Sequence, residues 1–215
     1  MSGMSDYWAR KVLDHTTGKT SIGSLPTIYV ALFTAAPTDA GGGTEVSGGS
    51  YARVATSGTT WNAAAGSAPA STSNANSITF PTATADWGTV VAFGLFDAST
   101  SGNLIAWDYL GNHAWKPFTG SAASPCVLTV PAHGYANGDS VVVTEEYGGT
   151  LPATGGSWSG LKTVANATTD TFTCGVNTTG TGNGLVRKVA AQSVPSGVTA
   201  SFAGGTPGNL VLTLA

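Results

Sequence analysis

Residues Thr79–Leu110 read TFPTATADWGTVVAFGLFDASTSGNLIAWDYL. Two runs inside this stretch, Thr89–Asp97 and Leu104–Leu110, are dense in β-branched, aromatic and other apolar side chains, which suit a pleated, half-buried surface. Ala98–Asn103 between them is made of small, hydroxyl, Gly and Asn residues, the chemistry of a turn, so the stretch predicts a β-hairpin. Nothing in it is equipped for catalysis. Upstream, Pro26–Pro37 (PTIYVALFTAAP) is built in the same style, and Thr27–Thr34 predicts a buried strand.

Working outward, Ser50–Thr56, Thr59–Asn62 and Ser77–Phe80 read as further short strands. Asp39–Ser50 (DAGGGTEVSGGS) and Ala63–Asn76 (AAAGSAPASTSNAN) read as loops, and Val198–Ala203 with Asn209–Leu214 as a closing hairpin. Ser5–His15 (SDYWARKVLDH) predicts a short helix, with Ser5 or Asp6 as its cap, Trp8 and Val12 on one face and Gly18 at its end. Many short strands with Gly-rich turns predict an all-β protein: a β-sandwich or jelly-roll-like main domain carrying a short N-terminal helix. The middle of the chain differs. Pro125–Val130, Ser140–Thr144, Gly160–Val164, Asp170–Cys174 and Leu185–Val189 read as a compact set of small strands, with a tight turn at Asn137-Gly138. The expected organisation is a discontinuous main domain, residues 1–112 plus 190–215, interrupted by a small β-barrel-like subdomain, residues 113–189.

The chain has 215 residues, 30 of them Gly, and is 41% hydrophobic but only 9% charged. An average soluble domain is about 25% charged. Low charge with ample apolar content argues against disorder. It also leaves a surface polar through hydroxyls and amides, suited to packing against copies of itself or a larger assembly. The net charge of −3 comes without a basic stripe, which argues against nucleic acid as a partner. No apolar run approaches the 18 or so residues of a membrane-spanning helix, and no secretory leader is read at the N-terminus. The two cysteines, Cys126 and Cys174, are too few for a disulfide scaffold or a zinc cluster. They could be neighbours on paired strands, and two buried thiols are expected in a cytosolic assembly, although the sequence leaves a disulfide open.

Candidate chemistry is sparse. His15, His113 and His133 have no ligand-like spacing. No serine sits in a nucleophile elbow. Glu145 and Glu146 are adjacent on a strand and point to opposite faces, so they cannot converge on a glycosidic bond. Asp39 with Glu45 matches no recognised Ca²⁺ loop, and Gly41–Gly43 lacks the Lys-Ser/Thr of a phosphate loop. No catalytic residue, cofactor or metal is expected. Two groups remain: Tyr7, Trp8 and Val12 as a subunit or lattice contact, and Tyr147 and Trp158, in the glycine-rich segments EYGG and GGSWSG, as a surface recognition platform. Local packing in a small barrel is the plainer reading for the second pair.

Pro26–Pro37, Ser50–Val54 (SYARV), Ile78–Pro81 (ITFP), Gly88–Tyr109 and Val198–Leu214 together resemble a family of short tailed-phage virion proteins usually labelled tail-fibre-like. The segments PAHGYANGDSVVV and LKTVANATTDTFTC are similar to small β-modules scattered through phage head and tail proteins. Those modules are related in pattern to the first-catalytic-cysteine half-domain of ubiquitin-activating enzymes, without its chemistry. The resemblance implies a non-enzymatic virion structural protein assembled in the host cytoplasm. The first expectation is a homotrimeric capsid decoration or cement protein that binds the major capsid protein or another virion protein. The alternative is a tail, neck or baseplate fibre component whose inserted subdomain contacts a host receptor or glycan.

Overall fold

A computed structural model describes residues 3–23, 25, 27–66, 70–145, 148–155, 157–207 and 209–214. The fold is all-β, with one α-helix among the described residues. The chain divides into two compact units: unit 1 is Met1–Asn112 with Ala191–Ala215, and unit 2 is His113–Ala190.

Unit 1 opens with β1 (Gly3–Met4) and α1 (Asp6–Thr16). Ser5 caps the helix: its Oγ accepts the Trp8 N–H at 3.2 Å and its hydroxyl donates to the Leu104 carbonyl. Thr17 ends the helix by donating its N–H to Leu13, and Gly18 follows in the left-handed region. The main sheet is made by β2 (Ile28–Ala35), β3 (Thr44–Glu45), β4 (Val54–Thr56), β8 (Ala92–Phe96) and β9 (Leu104–Tyr109) together with β1. Its order is β1-β9-β8-β2-β3, and β4 also pairs with β2. Val30 to Phe33 are buried without a break and so is all of β8, so these central strands are covered on both faces. The expected hairpin is present. Asp97 ties its turn by accepting the N–H and side-chain amide of Asn103 at 2.7 and 2.8 Å. Gly102 sits at φ +74 there, and a Cβ would stand 2.6 Å from the Asp97 carboxylate, so the turn requires glycine.

Three readings change in this part. Gly58–Thr60 is a 3-10 turn and not a strand, because Ser57 and Thr60 satisfy the local backbone with their hydroxyls. The 63–76 stretch contains a strand, β5 (Ala70–Ser73). The run 89–97 is split into β7 (Thr89–Val90) and β8; Val91 between them donates to Phe33 and accepts from Leu110. β6 (Ile78–Thr82) lies where a strand was expected.

Unit 2 comprises β10 (Lys116–Gly120), β11 (Val127–Thr129), β12 (Ser140–Thr144), β13 (Lys162–Thr163), β14 (Thr171–Thr173) and β15 (Gly182–Val189), in the order β13-β12-β15-β10-β11-β14. Ala165 and Thr173 exchange two backbone hydrogen bonds of 2.8 Å, which joins the two ends of this sheet and curls it into a small barrel. Phe118, Leu128, Val130, Val141, Val164, Phe172 and Val186 fill it. β10 was not among the expected strands; it holds Pro117, a residue that cannot donate to a ladder. The Asn137-Gly138 turn forms, but it joins β11 to β12, which are not paired with each other.

The return into unit 1 carries β16 (Gln192–Ser193), β17 (Thr199–Phe202) and β18 (Val211–Leu214). The expected closing hairpin does not exist. β16 pairs with β7, β17 with β6 and β18 with β5, so the last segment retraces the path of residues 70–90 backwards. It thereby supplies Val194 and Leu210 to a core that also holds Val30, Leu32, Ile78, Phe80, Trp87, Phe93, Leu95 and Ile105. Asn74 is the tie-point. It is fully buried; its Oδ1 accepts the Leu210 N–H at 2.8 Å and its Nδ2 donates to the carbonyls of Asn76, Phe202 and Ala203. Leu110 bonds to Val91 and Gln192 is in register with Val90, so the chain leaves and re-enters unit 1 beside the same strand segment.

Candidate functional site

α1 is an amphipathic helix without one buried residue. Tyr7, Trp8 and Val12 are half-buried, and Trp8 packs against the core of unit 1. The Lys11 ammonium lies 5.7 Å from the Tyr7 ring centroid. Leu13 is 63% exposed and Val198 39%; these two are the exposed large hydrophobics among the described residues. The structure thus brings Tyr7, Trp8 and Val12 onto one short element, and adds Leu13, the most exposed apolar side chain of the helix.

A cleft of about 560 Å³ lies beside the start of α1, bounded by Asp6, Tyr7, Arg10, the loop 39–43, Phe33, Phe96 and Arg53. Arg53, Glu45 and Asp39 in its wall are committed to structure. Arg53 holds Glu45 with two hydrogen bonds of 2.8 and 2.7 Å and donates to the carbonyls of Ala98 and Ser101. Its guanidinium stacks 3.6 Å from the Phe96 ring centroid. Tyr51 donates to the same Glu45 carboxylate and accepts the Leu32 N–H; burial pushes its phenol well above the ordinary range. Asp39 accepts the Trp107 indole N–H at 2.9 Å. Asp39 and Glu45 therefore do not converge on a cation, and no cluster of three or more His, Cys, Asp or Glu that could hold a metal occurs among the described residues.

In unit 2 the platform reading of Trp158 is overturned. Trp158 is only 7% exposed, lies 6.4 Å from the Phe118 ring centroid and donates its indole N–H to the Pro152 carbonyl at 3.0 Å. A barrel with few large side chains gains more from this ring as a plug than as a surface residue. Tyr147 and Glu146 lie outside the described residues. His133 is buried; its Nδ1 accepts the Tyr135 N–H at 2.8 Å, which places the ring proton on Nε2, 3.3 Å from the Thr171 carbonyl. His133 is therefore a structural residue.

The exposed chemistry of unit 2 lies elsewhere, where the sequence drew no attention. Thr129, Thr119 and Asn183 stand side by side across β11, β10 and β15, each exposed on the outer face. They are shared by two adjoining clefts of about 540 and 450 Å³. Ser121, Thr181 and Val127 extend the row on one side, and Pro117, Pro131 and Leu185 on the other. No charged side chain among the described residues lines either cleft, so the described part of this face offers hydroxyls, an amide and an apolar margin. The available signal was the alternation of Thr and Asn with buried residues in KPFTG, VLT and GNGLV, legible only once β10 is known to be a strand.

No described helix is long and apolar enough to cross a membrane. No curated protein matches the chain. The profile of a phage family, podophage GP4 fiber I protein gp80, matches residues 3–114. That match spans just over half of the chain and takes in the first segment of unit 1, including α1, the main sheet and the hairpin stretch from which the tail-fibre-like resemblance was read. The chain belongs to the podophage GP4 fiber I protein gp80 family and is a structural protein of a phage virion.

Proposed function

We propose that this chain is a non-enzymatic component of a virion fibre, that it assembles as a homotrimer, and that α1 seats it against its own copies or another virion protein. The observation that carries the reading is the helix. It belongs to the segment matched by a fibre family, it buries none of its residues, and it leaves Tyr7, Trp8 and Val12 half-covered and Leu13 exposed. Amphipathic helices of this length gain most of their stability from packing, so a half-covered apolar side favours a further contact. The hydroxyl-rich, weakly charged composition supports assembly in the same way. In this reading the outer face of β10, β11 and β15, in place of the buried Trp158, makes the host contact, and its described hydroxyl and amide groups suit a glycan.

Decoration of the head draws on the same helix and composition; the fibre reading takes precedence because the matching family is a fibre family. The non-enzymatic reading is supported by the acids themselves. Asp39, Glu45, Asp97 and Asp139 are each held in structural hydrogen bonds or ion pairs. Cryo-electron microscopy of the intact particle tests the assignment. Trimeric density of this chain in a fibre, with α1 at an interface, is the expected result. Trimers distributed over the capsid lattice would sink the fibre reading and establish decoration.

A further inference from the structure

We propose that Cys126 and Cys174 form a cross-strand disulfide once the protein leaves a reducing compartment, and that this bond locks the closing seam of unit 2. β11 and β14 run antiparallel, with Val127 opposite Thr173, Leu128 opposite Phe172 and Thr129 opposite Thr171. One step further in the same register sets Cys126 opposite Cys174. Side chains opposite each other on antiparallel strands share a face, with Cβ atoms about 4.5–5.5 Å apart. A disulfide needs about 3.5–4.5 Å, so the closure required is on the order of 1 Å.

That shared face is the barrel core. Cys126 is 0% and Cys174 6% exposed, both are free thiols, and both belong to one apolar cluster with Leu128, Phe172 and Val176. The ladder is also relaxed at this point. The Cys126 N–H donates to Val176 in place of Cys174, and Gly175 stands at φ +72. Cys174 therefore sits at a strand end that can shift toward its neighbour, and not in the middle of a rigid ladder. The location matters because the seam is where the barrel has the shortest ladder: β13 has two residues, β14 has three, and the bridge between Ala165 and Thr173 joins their ends. A covalent link from β14 to β11 holds the strand that this seam depends on.

The oxidant is a low-molecular-weight disulfide. The thiolate of Cys174, the less buried of the two, attacks one sulfur of that disulfide and releases one small thiol. Cys126 then attacks the Cys174 sulfur and releases the second. The two cysteines lose two electrons, the small disulfide gains them, and the two thiol protons pass to the released thiolates. Burial raises Cys174 to about 11, so little thiolate exists in the closed fold near neutral pH. The bond forms as the chain folds or as the end of β14 opens.

The test uses the full chain, unfolded under reductant and refolded in a buffer of oxidised and reduced glutathione, then unfolded with iodoacetamide for intact mass. The expected product is a monomer about 2 Da lighter than the reduced chain, without alkyl groups, in which Cys126 and Cys174 are linked. The melting transition of unit 2 rises by roughly 10 °C, the rise is reversed by reductant, and it is absent in Cys126→Ser. The same mass measurement on native chain held in excess oxidised glutathione, never unfolded, guards against a refolding artefact. Two alkyl groups in both samples, glutathione adducts on separate thiols, or a bond between chains would each overturn the proposal.

Discussion

Asn74→Ala removes a buried polar side chain that ties the return segment to the first half of unit 1. Asn74 is 0% exposed, and Leu210, whose N–H it accepts at 2.8 Å, is also 0% exposed. The variant leaves that N–H without its acceptor inside the core. It also takes a donor from the carbonyls of Asn76, Phe202 and Ala203, although Ala203 still accepts from Asn209. The orphaned Leu210 N–H costs about 1–3 kcal/mol, and the lost carbonyl contacts with a small void bring the total to roughly 3–5 kcal/mol. A domain of this size has a net stability of about 5–15 kcal/mol, and its melting temperature falls by roughly 2–5 °C per kcal/mol. A drop of roughly 10–20 °C is therefore expected in the transition of unit 1, followed by circular dichroism and calorimetry, with unit 2 unchanged. A drop below about 3 °C, or an equal drop in both units, would refute the reasoning that Asn74 clamps the return strands.

Truncation after Ala190 deletes β16 to β18 and takes Val194 and Leu210 out of the core, so unit 1 is expected to lose its cooperative transition and become protease-sensitive in limited proteolysis. Trp158→Ala empties the plug of unit 2 and is expected to cost about 3–5 kcal/mol by denaturant titration, whereas a surface residue would cost almost nothing. Acid is expected to loosen unit 2 through Asp139. Burial by itself would raise its carboxyl, but the Lys188 ammonium at 2.7 Å and the Ala136 N–H outweigh that and hold it below the usual range. A depressed carboxyl contributes stability above its unfolded value near 4 and loses it as pH falls through the folded value. Melting curves between about pH 5 and 2 should show this loss, and Asp139→Asn should flatten it.

The strands legible in advance were those whose own residues dictate them. IYVALFTA, VAFGLFDA and LIAWDY are too apolar to be anything but buried β-structure, and Asp97 with Gly102 writes its turn locally. The α1 cap was equally legible, because Ser5 and the Trp8 N–H lie within one turn of each other. Errors fell where the local signal was weak or misleading. ASTS reads as a loop because nothing in it is apolar; it becomes a strand because β18 lies beside it. KPFTG carries little local strand signal because a proline cannot donate; it becomes a strand because β15 pairs with it along its whole length. Trp158 among glycines reads as exposed, yet the barrel core draws it in.

The same division holds for the candidate sites. Composition and the hairpin wording were enough for an all-β chain of an assembling, weakly charged kind, and for the virion family that contains it. Those properties depend on residue types and their near neighbours. Tertiary structure alone decided that the last 25 residues complete unit 1 by retracing residues 70–90, that the Thr129–Thr119–Asn183 row forms across three strands, and that Cys126 and Cys174 flank the same paired strands β11 and β14. Each of those depends on register between strands far apart in the chain. Register is set by which faces are buried together, a quantity that no local stretch of sequence carries.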